Sequence, residues 1–249
     1  MPNPADGYDN YVHSGINSNT DKHYVYPEEN EAPYNSSNHP SSLWHIKKKN
    51  GLLYNWPAAT NDENRSVGNQ GQGQTNESPA NSIRGVCPVG WHIPSDREWN
   101  DLERTIYNNA HQYSDYTEAE QSQWQQWLSA WETISTNSDS QGYRPPSANE
   151  AHGVAMKSVC PPLGSSTLSN GKSLPPSQGG FNVLLVGYAN SLVHTSGRIA
   201  TYGSRAYFWT SSSYDITHAF RRRFAHDQAG VHKMYVERYD LFSIRCKKD

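Results

Sequence analysis

Beyond Gly142 the chain breaks into short segments, and that pattern limits the folds open to it. FNVLLVGYA (Phe181 to Ala189), RAYFWTSSS (Arg205 to Ser213), HAFRRRFA (His218 to Ala225) and LFSIRCK (Leu241 to Lys247) each suit a β-strand. Gly, Pro and Ser connectors such as PPLGSSTLSNGKSLPPSQGG separate them. Two helices are readable ahead of this region. Ser95 followed by Glu98 forms a capping box, in which hydroxyl and carboxylate satisfy the first free backbone N–H groups. From it runs DREWNDLERTIY, with Trp99, Leu102 and Ile106 on one face. Thr117 and Glu120 form a second box ahead of Trp124, Trp127, Leu128 and Trp131, a stripe expected on the core-facing side of a second helix. Helices early and short antiparallel strands late predict an α+β domain with long loops. No internal repeat is present.

Such a domain needs a core, and aliphatic residues are scarce. Leu, Ile, Val and Phe number 38 of 249 residues, a level that would suggest disorder if net charge were high. The net charge is only −3, and the chain carries 8 Trp and 16 Tyr, which bury large areas while keeping a polar atom for hydrogen bonding. The polar excess is concentrated. Residues 1–42 read as an extended N-terminal arm or linker, and Thr60 to Ser82 as a long surface loop. No stretch reaches the roughly 18–20 apolar residues of a membrane span, so no membrane insertion is expected. The first ten residues lack the charged-then-apolar start of a signal peptide, which predicts either no export by that route or a mature or recombinant form. Near-neutral charge argues against a nucleic-acid partner, and the basic runs Lys47 to Lys49 and Arg221 to Arg223 are read as solvated faces.

Four segments recur in order: GLLYNWPAA (Gly51 to Ala59), GVCPVGWHIPSDREWNDLE (Gly85 to Glu103), RAYFWTSSSYD (Arg205 to Asp215) and LFSIRCKKD (Leu241 to Asp249). Together they resemble the Fibrobacter succinogenes major paralogous domain, a family abundant in surface proteins of Bacteroidetes. The resemblance runs from about Trp44 to the last residue, which makes residues 43–249 the domain. It implies a C-type-lectin-like fold related to formylglycine-generating enzymes. It also implies a disulfide between Cys87 and Cys246, which sit in the second and fourth motifs. A disulfide implies an oxidising location. Cys160 has no evident partner and is read as a buried or free thiol. Trp56, Trp91, Trp99 and Trp209 lie in the motifs and are expected to build the core.

No catalytic or metal-binding motif is readable. Trp99–Asn100–Asp101 spells the W-N-D of calcium-dependent lectins, but inside the first predicted helix and with no E-P-N or Q-P-D elsewhere. Formylglycine-type oxidases need two neighbouring cysteines near the C-terminus, where this chain has only Cys246. The 11 His are scattered, with no H-E-x-x-H and no C-x-x-C, so no metal site is expected. Asn170 to Ser173 (NGKS) is similar to the end of a phosphate loop, but Ser166 stands where that motif needs Gly. No nucleophile elbow or acid–base pair is readable. The expectation is a non-enzyme without cofactors.

The stretch Tyr214 to Asp240 remains as the candidate recognition face. Tyr214, Asp215, His218, Phe220, Arg221, Arg223, His226, Asp227, His232, Tyr235 and Tyr239 are its candidate ligand-binding residues. Tyr and Arg supply contact area, stacking and bidentate hydrogen bonding, the composition of recognition surfaces. Asn occurs 22 times up to Asn190 and nowhere after it. Some members of the resembled family are targets of diversity-generating retroelements, which mutate adenines in Asn-type codons, and the scatter of Tyr, His, Asp and Arg here resembles that outcome. Gln228, Lys233, Met234 and Glu237 cannot arise from such a codon. The expected function is a non-catalytic binding module, secreted, on the cell surface or on a phage particle, that takes a glycan or protein ligand. The alternative is a structural or assembly subunit of a fimbrial or phage-tail structure.

Overall fold

A computed structural model describes the backbone of Tyr24–Val25 and residues 51–61, 82–146, 151–162, 165–189 and 199–249. The expected arm over residues 1–42 lies outside the described residues except for Tyr24–Val25 (β1), which pairs antiparallel with Leu53–Tyr54 (β2). Lys47 to Lys49 and most of the expected loop after Thr60 also lie outside them.

The first motif builds a capped helical turn. Trp56–Thr60 (α1) begins at Asn55, whose side chain accepts the Ala58 N–H at 3.1 Å. Pro57 occupies a first-turn position, where a missing N–H has no intrahelical partner to lose. Asn61 ends the helix in the left-handed region at φ 58°. Against this turn lies Gly85 at φ +52°, where a Cβ would stand 2.1 Å from the Ala59 carbonyl oxygen. Only glycine fits there.

The second motif gives Trp91–His92 (β3) and then the first predicted helix, Asp96–Asn108 (α2), with the expected Ser95/Glu98 capping box. Ala110–Tyr113 (α3) follows. The second capping box also forms, at Thr117 and Glu120, but its helix covers only Glu118–Gln121 (α4). The expected helix through Trp131 is absent. Instead Trp124, Trp127 and Trp131 surround Tyr107, with ring centroids 5.1, 5.4 and 5.9 Å from it. A turn after Gln121 lets three indoles reach one phenol from different sides, and this packing outweighs the modest helix propensity of Ser and Trp. Leu128, expected on the buried stripe, is half exposed.

Tyr143–Arg144 (β4), Arg205–Ser213 (β5), His218–Ala225 (β6) and Val231–Glu237 (β7) form a four-stranded antiparallel sheet in the order β4-β7-β6-β5, with His152–Met156 (α5) between β4 and β5 in the chain. Strands β5 and β6 have the expected bounds. Phe181 to Ala189 contributes single bridges at Val183 and at Gly187 to Ala189 rather than a continuous strand. Likewise Leu241 to Ser243 pair as single bridges, and only Lys247–Lys248 (β8) forms a strand, against β3. The protein is an α+β fold.

Both sheet faces are covered. On one, Trp99 of α2 packs on Phe208 and Phe224 at 5.8 and 6.5 Å. On the other, Tyr207 and Trp209 meet Phe242, Tyr54 and Trp56. Two indole N–H groups tie the motifs across this second core, Trp56 to the Thr210 carbonyl at 3.0 Å and Trp209 to the Tyr54 carbonyl at 2.8 Å. Trp56, Trp99 and Trp209 are buried as expected, whereas Trp91 is 39% exposed. It lies on β3 opposite Lys248, at the edge of the molecule.

Cys87 and Cys246 are disulfide-bonded, with Cα atoms 5.8 Å apart and a sequence separation of 159. Cys160 is free and exposed, not buried.

A charged network lies between α2 and the sheet. Asp96, Asn100 and Glu103 recur at i, i+4 and i+7, so they share the inward side of α2. Arg222 Nη1 donates to Asp96 Oδ1 at 2.7 Å, its Nε to Glu103 Oε1 at 2.6 Å, and its Nη2 to Asn100 Oδ1 at 2.9 Å. Lys233 donates to Asp96 Oδ2 at 2.6 Å, and Arg144 pairs with Glu103. All six are fully buried. The reading of Arg221 to Arg223 as a solvated run is therefore corrected. All three are at most 4% exposed, because strand alternation sends Arg222 to α2 and its neighbours to the opposite face, which is also covered.

Burial alone would raise the carboxyl groups of the network. The cations outweigh it: Arg222 and Lys233 hold Asp96, and Arg144 and Arg222 hold Glu103, below the ordinary carboxylate range. Burial lowers the pKa of His152, so the ring is neutral and its Nε2–H donates to Glu103 at 3.0 Å. The sign of the pH dependence follows. The stabilisation from both carboxylates is complete above their unfolded values near pH 4 and is lost as pH falls through the lower folded ones. His152 acts in the same direction, because below about pH 6.5 the unfolded chain binds a proton that the folded chain refuses. The urea midpoint is expected to fall gently from pH 7 to 5 and steeply below pH 4. A midpoint independent of pH over that range would contradict an ionised network.

Candidate functional site

The β5–β6 connection builds the most exposed part of the candidate face. Asp215 Oδ1 accepts the backbone N–H groups of Thr217 and His218, both at 2.7 Å, closing an Asx turn. Arg238 locks this turn from below. Its guanidinium donates to the Asp215 carbonyl and lies 4.3 Å from the centre of the Trp56 ring. Burial works against the Asp215 charge, yet the Thr217 N–H, the His218 ring and the His218 N–H hold its pKa down to about 2. Ile216 at the tip is 70% exposed.

On this clamped turn Tyr214 and Tyr235 stack face to face, with centroids 3.7 Å apart and planes within 4°. Phe220, fully buried, supports both edge-on at 5.7 and 6.2 Å. His218 lies edge-on to Tyr235 at 5.7 Å. Both its nitrogens face carboxylates, Nδ1 that of Asp215 at 2.9 Å and Nε2 that of Glu237 at 3.2 Å. Tyr214, Asp215, His218 and Tyr235 thus form one half-buried aromatic platform edged by negative charge. Glu237 belongs to it as well. It is not a residue that adenine mutation of an Asn-type codon can produce, yet its place two residues after Tyr235 on a strand puts it on the same face.

The remaining candidates divide three ways. Arg221, Arg223 and His232 project from the other face of the sheet and are buried, so they do not join the platform. Arg223 pairs with Asp139 at 2.6 Å and donates to the Tyr143 hydroxyl at 3.1 Å. Arg221 lies 4.9 Å from the Tyr207 ring centre, and burial lowers its pKa to about 10. His232 is pushed down to about 2, first by burial and then by Arg221 and Arg223, and is neutral. His226 and Asp227 sit at the opposite end of β6, and Tyr239 follows β7. The stretch Tyr214 to Asp240 is not one continuous surface, because β6 and β7 send alternate residues into two separate cores.

Among the described residues, no group of three or more His, Cys, Asp or Glu side chains could hold a metal ion. Asn100, of the W-N-D triplet, is fully buried with its Oδ1 accepting from Arg144 at 2.7 Å and from Arg222.

A family model described as the Fibrobacter succinogenes major domain matches residues 6–248. No curated protein and no solved structure matches the chain.

Proposed function

The chain belongs to the Fibrobacter succinogenes major domain family, and from that premise we propose that it is a non-catalytic binding module whose β5–β6 tip recognises a glycan or protein ligand. The stacked pair Tyr214–Tyr235 carries this reading. Two rings, one fixed on a clamped turn and one on strand β7, offer a flat apolar surface at little entropic cost, and the Asp215 and Glu237 carboxylates beside them can accept ligand hydroxyl or amide protons. A C-type-lectin-like arrangement and display outside the cell, on a surface or a phage particle, belong to the same proposal. The disulfide supports that location. Among the described residues no helix is long and apolar enough to cross a membrane.

Diversification by a retroelement is part of the proposal, confined to the surface positions Tyr214, Asp215, His218, Tyr235, His226, Asp227 and Tyr239. Natural alleles should vary there and stay constant at Phe220, Arg221, Arg223 and His232, which are buried.

Glycan and protein arrays test the reading. Tyr214→Ala and Tyr235→Ala should each weaken binding at least about tenfold, the loss typical of a buried aromatic anchor. Binding that survives both substitutions would remove the platform from the function. The same variants binding normally but failing to join a larger assembly would favour a fimbrial or tail subunit instead.

A further inference from the structure

A cleft of about 440 Å³ lies beside the disulfide and shares no residue with the tyrosine platform. Leu52, Val86, Leu184 and Ile244 give it apolar walls, and Asn182 and Arg245 stand among them. The half-buried Arg245 guanidinium lies 4.3 Å from the centre of the Phe181 ring. Arg97, Arg104, Arg144, Arg222 and Arg223 each have a carboxylate within 4 Å. Arg245 has none among the described residues, and burial lowers its pKa with no acid to oppose it. A half-buried guanidinium among apolar walls, with no carboxylate within 4 Å among the described residues, is a polar group of the kind that orients a ligand in a pocket, and the volume lies within the roughly 300–1,000 Å³ of such sites.

We propose that this cleft binds a small monocarboxylate with an apolar body. The carboxylate takes a bidentate pair from the Arg245 guanidinium, and the apolar body lies between Leu52, Val86, Leu184 and Ile244. A single guanidinium balances one negative charge, which favours a carboxylate over a phosphate dianion. The inference is independent of the tyrosine platform.

Calorimetric titration of the full chain with 4-phenylbutyrate and its neutral isostere 4-phenylbutyramide tests it. The carboxylate should bind at least about tenfold more tightly than the amide. Arg245→Met should abolish that difference, and Arg245→Lys should keep part of it, since charge remains but the planar fork is lost. Val86→Trp, which fills the cleft and leaves Arg245 in place, should weaken both probes, and thermal melting confirms that each variant is folded. Tyr214→Ala should leave the titration unchanged, so failure here is distinct from failure of the platform. Equal affinity for the two probes, no binding of the carboxylate at millimolar concentration, or undiminished binding by Arg245→Met would each overturn the proposal.

Discussion

Replacing Arg222 by methionine is expected to destabilise the domain by about 3–5 kcal/mol, the cost of removing one member of a buried ion pair. For a domain of this size that corresponds to a fall in Tm of about 6–20 °C. Among the described residues, Arg222 is the one cation bonded to both carboxylates of this network, through Asp96 Oδ1 and Glu103 Oε1, and it also satisfies Asn100. Methionine fills much of the same space but donates nothing, so four acceptors in a dry interior, the Asp96 backbone carbonyl among them, lose a partner together. Lys233→Met provides the contrast. The network holds Arg144, Arg222 and Lys233 against Asp96 and Glu103, with His152 neutral, so it carries one positive charge in excess. Removing Lys233 relieves that excess and leaves Asp96 still paired, so its cost should be less than half that of Arg222→Met. Urea denaturation of both variants measures the difference. Equal losses would show that charge balance does not govern the network.

Opening the disulfide has the other large expected effect. For a closed loop of about 160 residues the chain-entropy account assigns roughly 5 kcal/mol, and measured losses on removing native disulfides run at about 2–5 kcal/mol. The lower end is favoured here, because non-covalent ties join the same parts of the chain. β3 pairs with β8, and Tyr54 bridges to Phe242. Cys87→Ser/Cys246→Ser should therefore remain folded at 25 °C but unfold at lower denaturant, and added reductant should reproduce that shift in the native chain. An unchanged midpoint would mean that the non-covalent closure suffices alone.

Parts of this structure were legible in the sequence because local chemistry decides them. The capping boxes at Ser95 and Thr117 form from side chains three residues apart, and β5 and β6 follow from short segments with aromatic residues set between loop-rich connectors. The helix through Trp131 was not legible, because Tyr107 captures all three indoles and that contact is invisible to periodicity. Arg221 to Arg223 misled for a related reason. Three consecutive charges look solvated unless acids from α2 are known to face them, and Asp96 and Glu103 lie 126 and 119 residues away from Arg222. Of the candidate face, Tyr214, Asp215 and His218 come together because they flank a single turn, and Tyr235 joins them from β7 through its register with Phe220, whereas the buried candidates belong to strands whose outward side is covered by distant chain.

The covalent closure between Cys87 and Cys246 also has a mechanical meaning. Tension carried along the backbone past this domain passes from one cysteine to the other and bypasses everything between them. The four-stranded sheet and the buried network are made of chain between the two cysteines, whereas Tyr54 and Trp56, which pack on the sheet from the first motif, lie outside that closure. On the order of 500 Å of contour length is thus held in reserve, released only if the bond is reduced. Until that happens a pull on the two chain ends cannot unravel the strands between the cysteines.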